Sequence, residues 1–303
     1  MPSVTAGRLC PNGIFVPPRM DVYKAESILI MEILSKTGAS IEPMSIDEAY
    51  LELPPNEAAP NPDAALEASL PVAVELKRRI LAERQLTATI GIGANKLLAK
   101  LASDFKKPDG LTLIPECEKV QFLRPMSVRA LHGVGRVTEE VLASAGVRTI
   151  GELQDYPGDL RALVGSFAAR LRAFAFGEDD RPLELGDLIK SISSEETFLK
   201  DTEDRRLLRK SLREQALDVA ARLKRKQLAA QTVQVKLRYG DFTTLTRQLT
   251  VEEPITDVEE IYRLACFLLA KERLVSRPLR LLGLGVSGLD LPASRQMVLF
   301  ESR

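Results

Sequence analysis

Apolar residues near the start of the chain alternate between the two-residue period of strands and the 3.6-residue period of helices. Residues 13–18 (GIFVPP) and 41–53 (IEPMSIDEAYLEL) are predicted as strands. The helix predicted between them, over 21–38, ends at a glycine, as a helix C-terminus often does. The N-terminal part of the chain is therefore expected to mix strands and helices.

The same alternation continues to about residue 115. Residues 72–85 have apolar positions every three or four residues, which predicts a helix. Residues 87–105 (TATIGIGANKLLAKLASDF) predict a short strand, a glycine turn and a further helix. We therefore expect residues 1–115 to form one α+β domain.

The remainder of the chain divides into segments of different character. Residues 116–177 predict a small all-helical domain with glycine turns, and 178–189 an acidic linker that contains proline. Residues 190–290 predict the order strand, helix, strand, strand, helix, strand, which is the βαββαβ plan of a ferredoxin-like domain. The first of these two helices aligns four apolar residues on one face: Leu208, Leu212, Val219 and Leu223.

Composition narrows the chemistry that the chain can perform. The single histidine, His132, excludes zinc sites with several imidazoles, and the three widely spaced cysteines indicate neither a metal knuckle nor a disulfide framework. No apolar run is long enough to span a bilayer, and the first residues lack the plan of a signal peptide, so we expect a soluble cytoplasmic protein. Catalysis would depend on carboxylates, lysines or hydroxyls.

Asp47 and Glu48 are adjacent carboxylates, a donor type that Mg²⁺ prefers. Neighbours in a regular strand point to opposite faces, so both could bind one ion only near a turn or bulge, which Pro43 makes plausible. A solvated strand end is the alternative for an isolated Asp-Glu pair. The surrounding sequence has to decide between the two.

Basic residues and glycines suggest contacts with phosphates at two further places. Lys96, Lys100, Lys106 and Lys107 lie on or after a predicted helix, where a solvated face is the alternative. Gly133 and Gly135 precede another helix, where free backbone N–H groups suit a phosphate of the DNA backbone and a plain tight turn is equally compatible.

The C-terminal third is the most basic part of the chain, although the whole protein has no formal net charge. Residues 190–303 hold 21 Lys and Arg against 16 Asp and Glu, and nine of these cations lie between 205 and 226. Lys236 and Arg238 are predicted on the strand face opposite Val235 and Leu237. Such a surface suits salt-dependent binding of nucleic acid, with a merely solvated surface as the alternative.

The last residues form an apolar patch, QMVLF over 296–300. An ordinary chain end would be polar at this point. This pattern is typical of a docking peptide, or of a final strand folded back on its domain.

Taken together, these stretches resemble the Y-family translesion DNA polymerases, closest to their bacterial DNA polymerase IV branch. SIDEAYLEL resembles the S-x-D-E motif of the family, GIGANKLLAKLASDFKKPDGL its second palm signature and LHGVGRVTEEVLASAGVRTIGEL its helix-hairpin-helix. KSISSEETF resembles the opening of the little finger, and QMVLF the peptide that binds the sliding clamp. These matches follow the order of the family from end to end.

The resemblance implies an α+β right-hand fold: palm with part of the fingers over 1–115, thumb over 116–177, linker over 178–189, little finger over 190–290 and clamp-binding tail over 291–303. It implies two Mg²⁺ ions per active site, held by Asp47 and Glu48, which are also the catalytic carboxylates, and Lys107 on the triphosphate. It further implies DNA contacts from five residues: Gly133, Gly135, Arg136, Lys236 and Arg238.

The implied partners are primer-template DNA, deoxynucleoside triphosphates and the bacterial sliding clamp. The clamp would be bound through Gln296, Leu299 and Phe300. The chain is expected to be a monomer. The family's other metal-binding aspartate lies in a D-x-D-x-F-[FY] motif that does not occur in these 303 residues. We therefore expect an error-prone DNA polymerase that is inactive, or nearly so, as the given chain. The alternative is a non-catalytic remnant that binds DNA and the sliding clamp.

Overall fold

The computed structural model of the protein describes residues 1, 3–186, 189–271 and 273–291. The chain divides into two units, Met1–Leu185 and Gly186–Arg303. Each unit has its own hydrophobic core, so each can be described by itself. None of the helices in the described ranges is long and apolar enough to cross a membrane.

Short strands and longer helices make up the first part of the N-terminal unit. In chain order they are α1 (Ser3–Leu9), α2 (Met20–Ser35), β1 (Ser40–Pro43), β2 (Ala49–Glu52), α3 (Pro62–Ala68), α4 (Leu70–Arg84), β3 (Ile90–Ile92), α5 (Lys96–Phe105) and β4 (Leu111–Leu113). β1 pairs antiparallel with β2, and β3 pairs parallel with β4. A small core joins α2 and α4 through Ile33, Leu34, Leu76 and Ile80.

The strand predicted over residues 13–18 is wrong, because these residues belong to neither a helix nor a strand. Ile14, Phe15 and Val16 are 90%, 62% and 77% exposed, so this short apolar run does not mark a buried strand. Pro17 and Pro18 have no N–H to donate to a neighbouring strand, which opposes pairing at this point. The predicted strand over 41–53 is divided into β1 and β2.

Five helices follow in the N-terminal unit: α6 (Lys119–Leu123), α7 (Arg136–Ser144), α8 (Ile150–Asp155), α9 (Leu160–Val164) and α10 (Ala168–Ala175). They share a second core with α5, in which Leu98, Leu142, Ile150 and Leu171 are fully buried. The first turn of α8 is closed by a capping box between Thr149 and Glu152, which satisfies backbone N–H groups at both residues. This core fixes the helix that carries two of the four lysines singled out above, Lys96 and Lys100.

The C-terminal unit has the predicted order of elements. It consists of β5 (Ser191–Thr202), α11 (Arg205–Lys226), β6 (Ala229–Tyr239), β7 (Thr244–Ile255), α12 (Val258–Lys271) and β8 (Leu279–Asp290). The strands form one antiparallel sheet in the order β5-β8-β6-β7, with the second and fourth strands in the centre. Each strand-helix-strand step skips one strand, so the split βαβ plan and the α+β class are confirmed.

One face of this sheet is covered by the two helices. Leu208, Leu212, Val219 and Leu223 of α11 are buried, as the spacing predicted, and they share a core with Val235 and Leu237 of β6. Because side chains alternate along a strand, Lys236 and Arg238 lie on the other, open face, as predicted.

Candidate active site

Asp47 and Glu48 lie in the turn between β1 and β2. The last cross-strand pair is Pro43 with Ala49, and the Glu48 carbonyl accepts hydrogen bonds from the N–H groups of Met44 (2.8 Å) and Ser45 (3.2 Å). Both acids are exposed. The two neighbours are thus outside the regular strand geometry that would send their side chains to opposite faces.

Ser45 orients the first carboxylate of the turn. Its hydroxyl Oγ donates to Oδ1 of Asp47 at 2.5 Å and accepts from the Asp47 backbone N–H at 3.3 Å. One oxygen of Asp47 is therefore fixed within the turn, and the other makes no hydrogen bond or ion pair with the described residues. A carboxylate held in this way loses little side-chain freedom on binding a ligand.

Helix α5 supplies the cations beside the turn. Nζ of Lys100 donates to Oε1 of Glu48 at 2.5 Å and lies 3.6 Å from Oδ2 of Asp104. Nζ of Lys107, two residues beyond the helix, lies 2.6 Å from Oδ1 of Asp104. Charges thus alternate through four side chains, from Glu48 to Lys107.

These ion pairs shift the pKa values of the two central groups. Burial lowers the pKa of Lys100, but its hydrogen bond to Glu48 and the charge of Asp104 outweigh burial and raise the pKa. Burial likewise raises the pKa of Asp104, but the hydrogen bond from Lys107 and the charge of Lys100 outweigh it and lower the pKa. Both side chains are therefore charged at neutral pH.

One turn earlier, α5 holds the strand that leads into this site. Nζ of Lys96 donates to both carboxylate oxygens of Glu42 on β1, at 2.8 and 2.6 Å, and the two side chains are 9% and 8% exposed. Glu42 also accepts from the backbone N–H of Glu184 at 2.9 Å. Burial opposes ionisation of Glu42, but these hydrogen bonds lower the pKa of its carboxyl group. Sequence reasoning missed this pair because its members are far apart in the chain.

The segment 177–184 is attached to the N-terminus of α5. Asn95 caps the helix and donates from Nδ2 to the Gly177 carbonyl at 2.8 Å. Asp179 accepts from the N–H of Leu97 at 3.1 Å and pairs with Arg181 at 2.7 Å. This part of the predicted linker thus helps to fix the helix that carries Lys96 and Lys100.

The glycines before α5 serve the packing of the helix. A Cβ on Gly91 would lie 2.1 Å from the Ala99 carbonyl oxygen and 2.2 Å from the Ser103 nitrogen, both in the backbone of α5. A Cβ on Gly93 would meet Leu98 at 2.6 Å. The two glycines therefore let β3 and α5 approach closely, and through this contact they set the position of the lysines.

The residue types of the turn fit a divalent cation. Asp47 and Glu48 present hard carboxylate oxygens, which are the ligands of Mg²⁺, and the Asp47 oxygen opposite Ser45 is open. Within the described ranges, no group of three or more His, Cys, Asp or Glu residues could hold a metal ion. The pair would thus form part of a ligand set, completed by other donors such as phosphate oxygens or water.

The predicted glycines of the all-helical part lie at the start of α7. Gly133 has a φ of +87°, and a Cβ there would meet the Phe167 ring at 2.9 Å, so the turn requires glycine. Gly135 is the N-cap of α7 and supplies no side-chain cap, and a Cβ added to it would meet nothing within 4 Å. Arg136 is 84% exposed and pairs with Glu140 at 2.8 Å. These features leave the helix N-terminus accessible to an anion.

Lys236 and Arg238 project from the open face of the C-terminal sheet. Lys236 pairs with Glu195 of β5 at 2.7 Å, and Arg238 donates from Nε to Thr244 of β7 at 2.8 Å. Their partners on the central strand β8 are Gly283 and Leu281. The nine cations of α11 belong to the helix on the other face of the sheet, so the basic residues of this unit form two separate surfaces. The predicted clamp residues Gln296, Leu299 and Phe300 lie outside the described residues.

Comparison with known proteins gives consistent similarities along the chain. Residues 1–104 match the impB/mucB/samB family, and residues 189–299 match the C-terminal domain of that family. The chain is 39% identical over 302 residues to DNA polymerase IV of Halorhodospira halophila, covering 99% of this chain and 83% of the relative. It is 38% identical over 294 residues to DNA polymerase IV of Exiguobacterium sibiricum, covering 96% and 80%.

Solved structures give the same picture of the fold. A Y-family DNA polymerase chimera of Dbh and Dpo4 superposes with a TM-score of 0.84 at 26% identity, covering 96% of this chain and 83% of the chimera. DinB from Sulfolobus solfataricus superposes with a TM-score of 0.57 at 25% identity, covering 95% and 82%. The fold class predicted from the sequence is therefore confirmed.

Proposed function

The chain belongs to the impB/mucB/samB family of Y-family DNA polymerases, and on this premise we propose that it acts in error-prone translesion DNA synthesis. The reaction would add a deoxynucleotide to a primer 3′-hydroxyl. The observation that carries the proposal is the turn holding Asp47 and Glu48 beside the lysines of α5. Adjacent carboxylates with nearby cations suit nucleotidyl transfer, in which the primer 3′-hydroxyl would attack the α-phosphate of the triphosphate and pyrophosphate would leave.

Asp47 and Glu48 would hold Mg²⁺, with two ions per active site as in the family. When bound, the ions stabilise the attacking and leaving oxygens of the displacement. Ser45 orients Asp47, and Lys100 orients Glu48 by engaging one of its oxygens. Lys107 would contact the triphosphate of the incoming nucleotide, where its ammonium group offsets the negative charge of the leaving phosphates.

The other predicted residues would bind DNA at positions outside the proposed active site. Gly133, Gly135 and Arg136 would bind the duplex backbone at the N-terminus of α7, and Lys236 and Arg238 would do so from the open sheet face. We further propose that the chain is divided into palm, thumb, linker and little finger at the boundaries predicted above. The chain would be a monomer, and it would dock on the sliding clamp through the residues from 291 onward.

A second candidate function is a DNA- and clamp-binding protein without catalysis. It is favoured by the small size of the acidic cluster, because within the described ranges Asp47 and Glu48 have no third carboxylate, histidine or cysteine that could complete a metal site. Two metals that bridge a triphosphate need carboxylates on more than one side.

Primer extension by the purified 303-residue chain with Mg²⁺ separates the two candidates. We expect residual extension, at least about 1000-fold slower than the turnover of roughly 1–10³ s⁻¹ usual for enzymes, because the acidic set is small. Asp47→Asn should abolish this residual activity, since it removes one of the two anionic donors. The measurement is single-turnover extension resolved on a denaturing gel.

The matched control is Asp63→Asn, which removes a carboxylate that accepts from the Glu116 backbone N–H and is not a member of the turn of Asp47 and Glu48. This variant should extend the primer as the unmodified chain does. No extension at all by a chain that still binds DNA would favour the non-catalytic function. Extension that survives in Asp47→Asn would contradict the role proposed for Asp47. Robust extension would contradict the expected low rate.

The open sheet face should bind DNA in a salt-dependent and sequence-independent manner. Replacing both Lys236 and Arg238 with glutamine should make the negative slope of log K against log salt shallower by about two, since each phosphate contact contributes about −0.9 to the slope. The control is Arg225→Gln with Lys226→Gln, which removes equal charge from α11 on the opposite face. Fluorescence anisotropy with two unrelated duplexes measures both slopes, and equal losses in the two variants would exclude a specific role for the sheet face.

A further inference from the structure

Asp104 occupies an unusual place between the two lysines of the site. It lies in the last turn of α5, four residues after Lys100 and three before Lys107, and it contacts both ammonium groups, at 3.6 and 2.6 Å. Lys100 in turn contacts Glu48 at 2.5 Å. Asp104 is therefore the link between the acidic turn and the proposed triphosphate ligand.

Helix stability does not account for this acid. A negative charge in the last turn of a helix faces the negative end of the helix dipole and is unfavourable there. The ion pair with Lys107 joins side chains that are 48% and 51% exposed, and exposed pairs contribute little to folding. A role in the arrangement of the two lysines explains the position better.

We propose that Asp104 is a positioning residue that holds Lys107 while no nucleotide is bound and releases it to the phosphates when a nucleotide enters. This inference rests on the proposed function, because it assumes that Lys107 contacts the triphosphate. Lys100 remains between Glu48 and Asp104 after the exchange, so the freed Asp104 carboxylate keeps a cationic partner. Triphosphate and Asp104 then compete for a single ammonium group.

The exchange can be measured with inorganic tripolyphosphate at a fixed Mg²⁺ concentration, using ³¹P NMR titration of the 303-residue chain. Asp104→Asn removes the competitor of the triphosphate and should tighten binding by about three- to fivefold, the range that an exposed ion pair allows. Lys107→Met should weaken binding in the otherwise unmodified chain. In the Lys107→Met background, Asp104→Asn should change the affinity by less than about 1.5-fold, because the contested ammonium is gone.

Glu75→Gln provides the matched control. Glu75 pairs with Arg78 at the same i,i+3 spacing and in the same order, with side chains of similar exposure, 52% and 64%. It lies on α4, and among the described residues its carboxylate accepts from Arg78 and makes no hydrogen bond with the turn of Asp47 and Glu48, so its removal should leave tripolyphosphate binding unchanged. An increase like that of Asp104→Asn would indicate a general effect of net charge.

Each failure has its own meaning. Asp104→Asn could tighten tripolyphosphate binding equally in the presence and absence of Lys107. It could also leave binding unchanged while Lys107→Met weakens binding. Either result refutes the release of Lys107 by Asp104 and leaves the proposed function standing. If Lys107→Met binds tripolyphosphate as tightly as the unmodified chain, Lys107 is not a triphosphate ligand, and that part of the proposed function fails together with the inference built on it.

Discussion

Replacing Lys96 with methionine should lower the free energy of unfolding of the N-terminal unit by about 3–5 kcal/mol. Lys96 and Glu42 are 9% and 8% exposed, and the lysine donates to both carboxylate oxygens. Removing the ammonium leaves a buried carboxylate that still accepts a hydrogen bond from the Glu184 N–H. The cost is that of an uncompensated buried charge, and a urea titration followed by circular dichroism measures it.

Two further variants identify the cause of this loss. Adding Glu42→Gln to Lys96→Met removes the stranded charge and should recover a large part of the stability. Arg78→Met breaks the exposed pair with Glu75 and should change stability little. A double variant no more stable than Lys96→Met would mean that the packing of the lysine stem, rather than charge, is what matters.

The same substitution should also disturb the turn that carries Asp47 and Glu48. Glu42 lies on β1, which leads into Asp47 and Glu48, and Lys96 lies one helical turn before Lys100. The Glu42–Lys96 and Glu48–Lys100 pairs thus hold the β1–β2 hairpin against one helix at two points. Loss of the buried pair leaves the exposed one as the remaining ion pair between the hairpin and α5, and an exposed pair contributes little.

Gly91→Ala should destabilise the N-terminal unit by about 3 kcal/mol, which is severe for the addition of one methyl group. The new Cβ would lie 2.1 Å from the Ala99 carbonyl oxygen and 2.2 Å from the Ser103 nitrogen. Both atoms belong to the backbone of α5, so no side-chain rotation can relieve the contact, and β3 must move away from the helix. Thermal unfolding followed by circular dichroism measures the loss.

Gly186→Ala is the control for this substitution, because a Cβ at Gly186 would meet nothing within 4 Å. Its unfolding temperature should match that of the unmodified chain. If Gly91→Ala were equally harmless, β3 and α5 would have to separate easily, and the glycines would not be what sets the position of the lysines.

The sequence was most informative where a pattern is repeated over many residues. The periodic apolar positions of α11 predicted its buried face, because every third or fourth residue must meet the same sheet. The pattern was misleading over 13–18, where three consecutive apolar residues are followed by two prolines, which have no N–H group to donate to a neighbouring strand. Short segments carry too few residues for periodicity to distinguish a strand from an exposed loop.

The sequence by itself determined the α+β class, the order of the elements in the C-terminal unit and the residue types available for chemistry: an adjacent acid pair and several lysines. Only the tertiary structure decided which lysine meets which acid. Lys96 pairs with Glu42 across 54 positions and Lys100 with Glu48 across 52. Such contacts depend on how closely α5 approaches the strands, which Gly91 and Gly93 permit. Local propensity acts over a few residues, and so it could not specify these pairs.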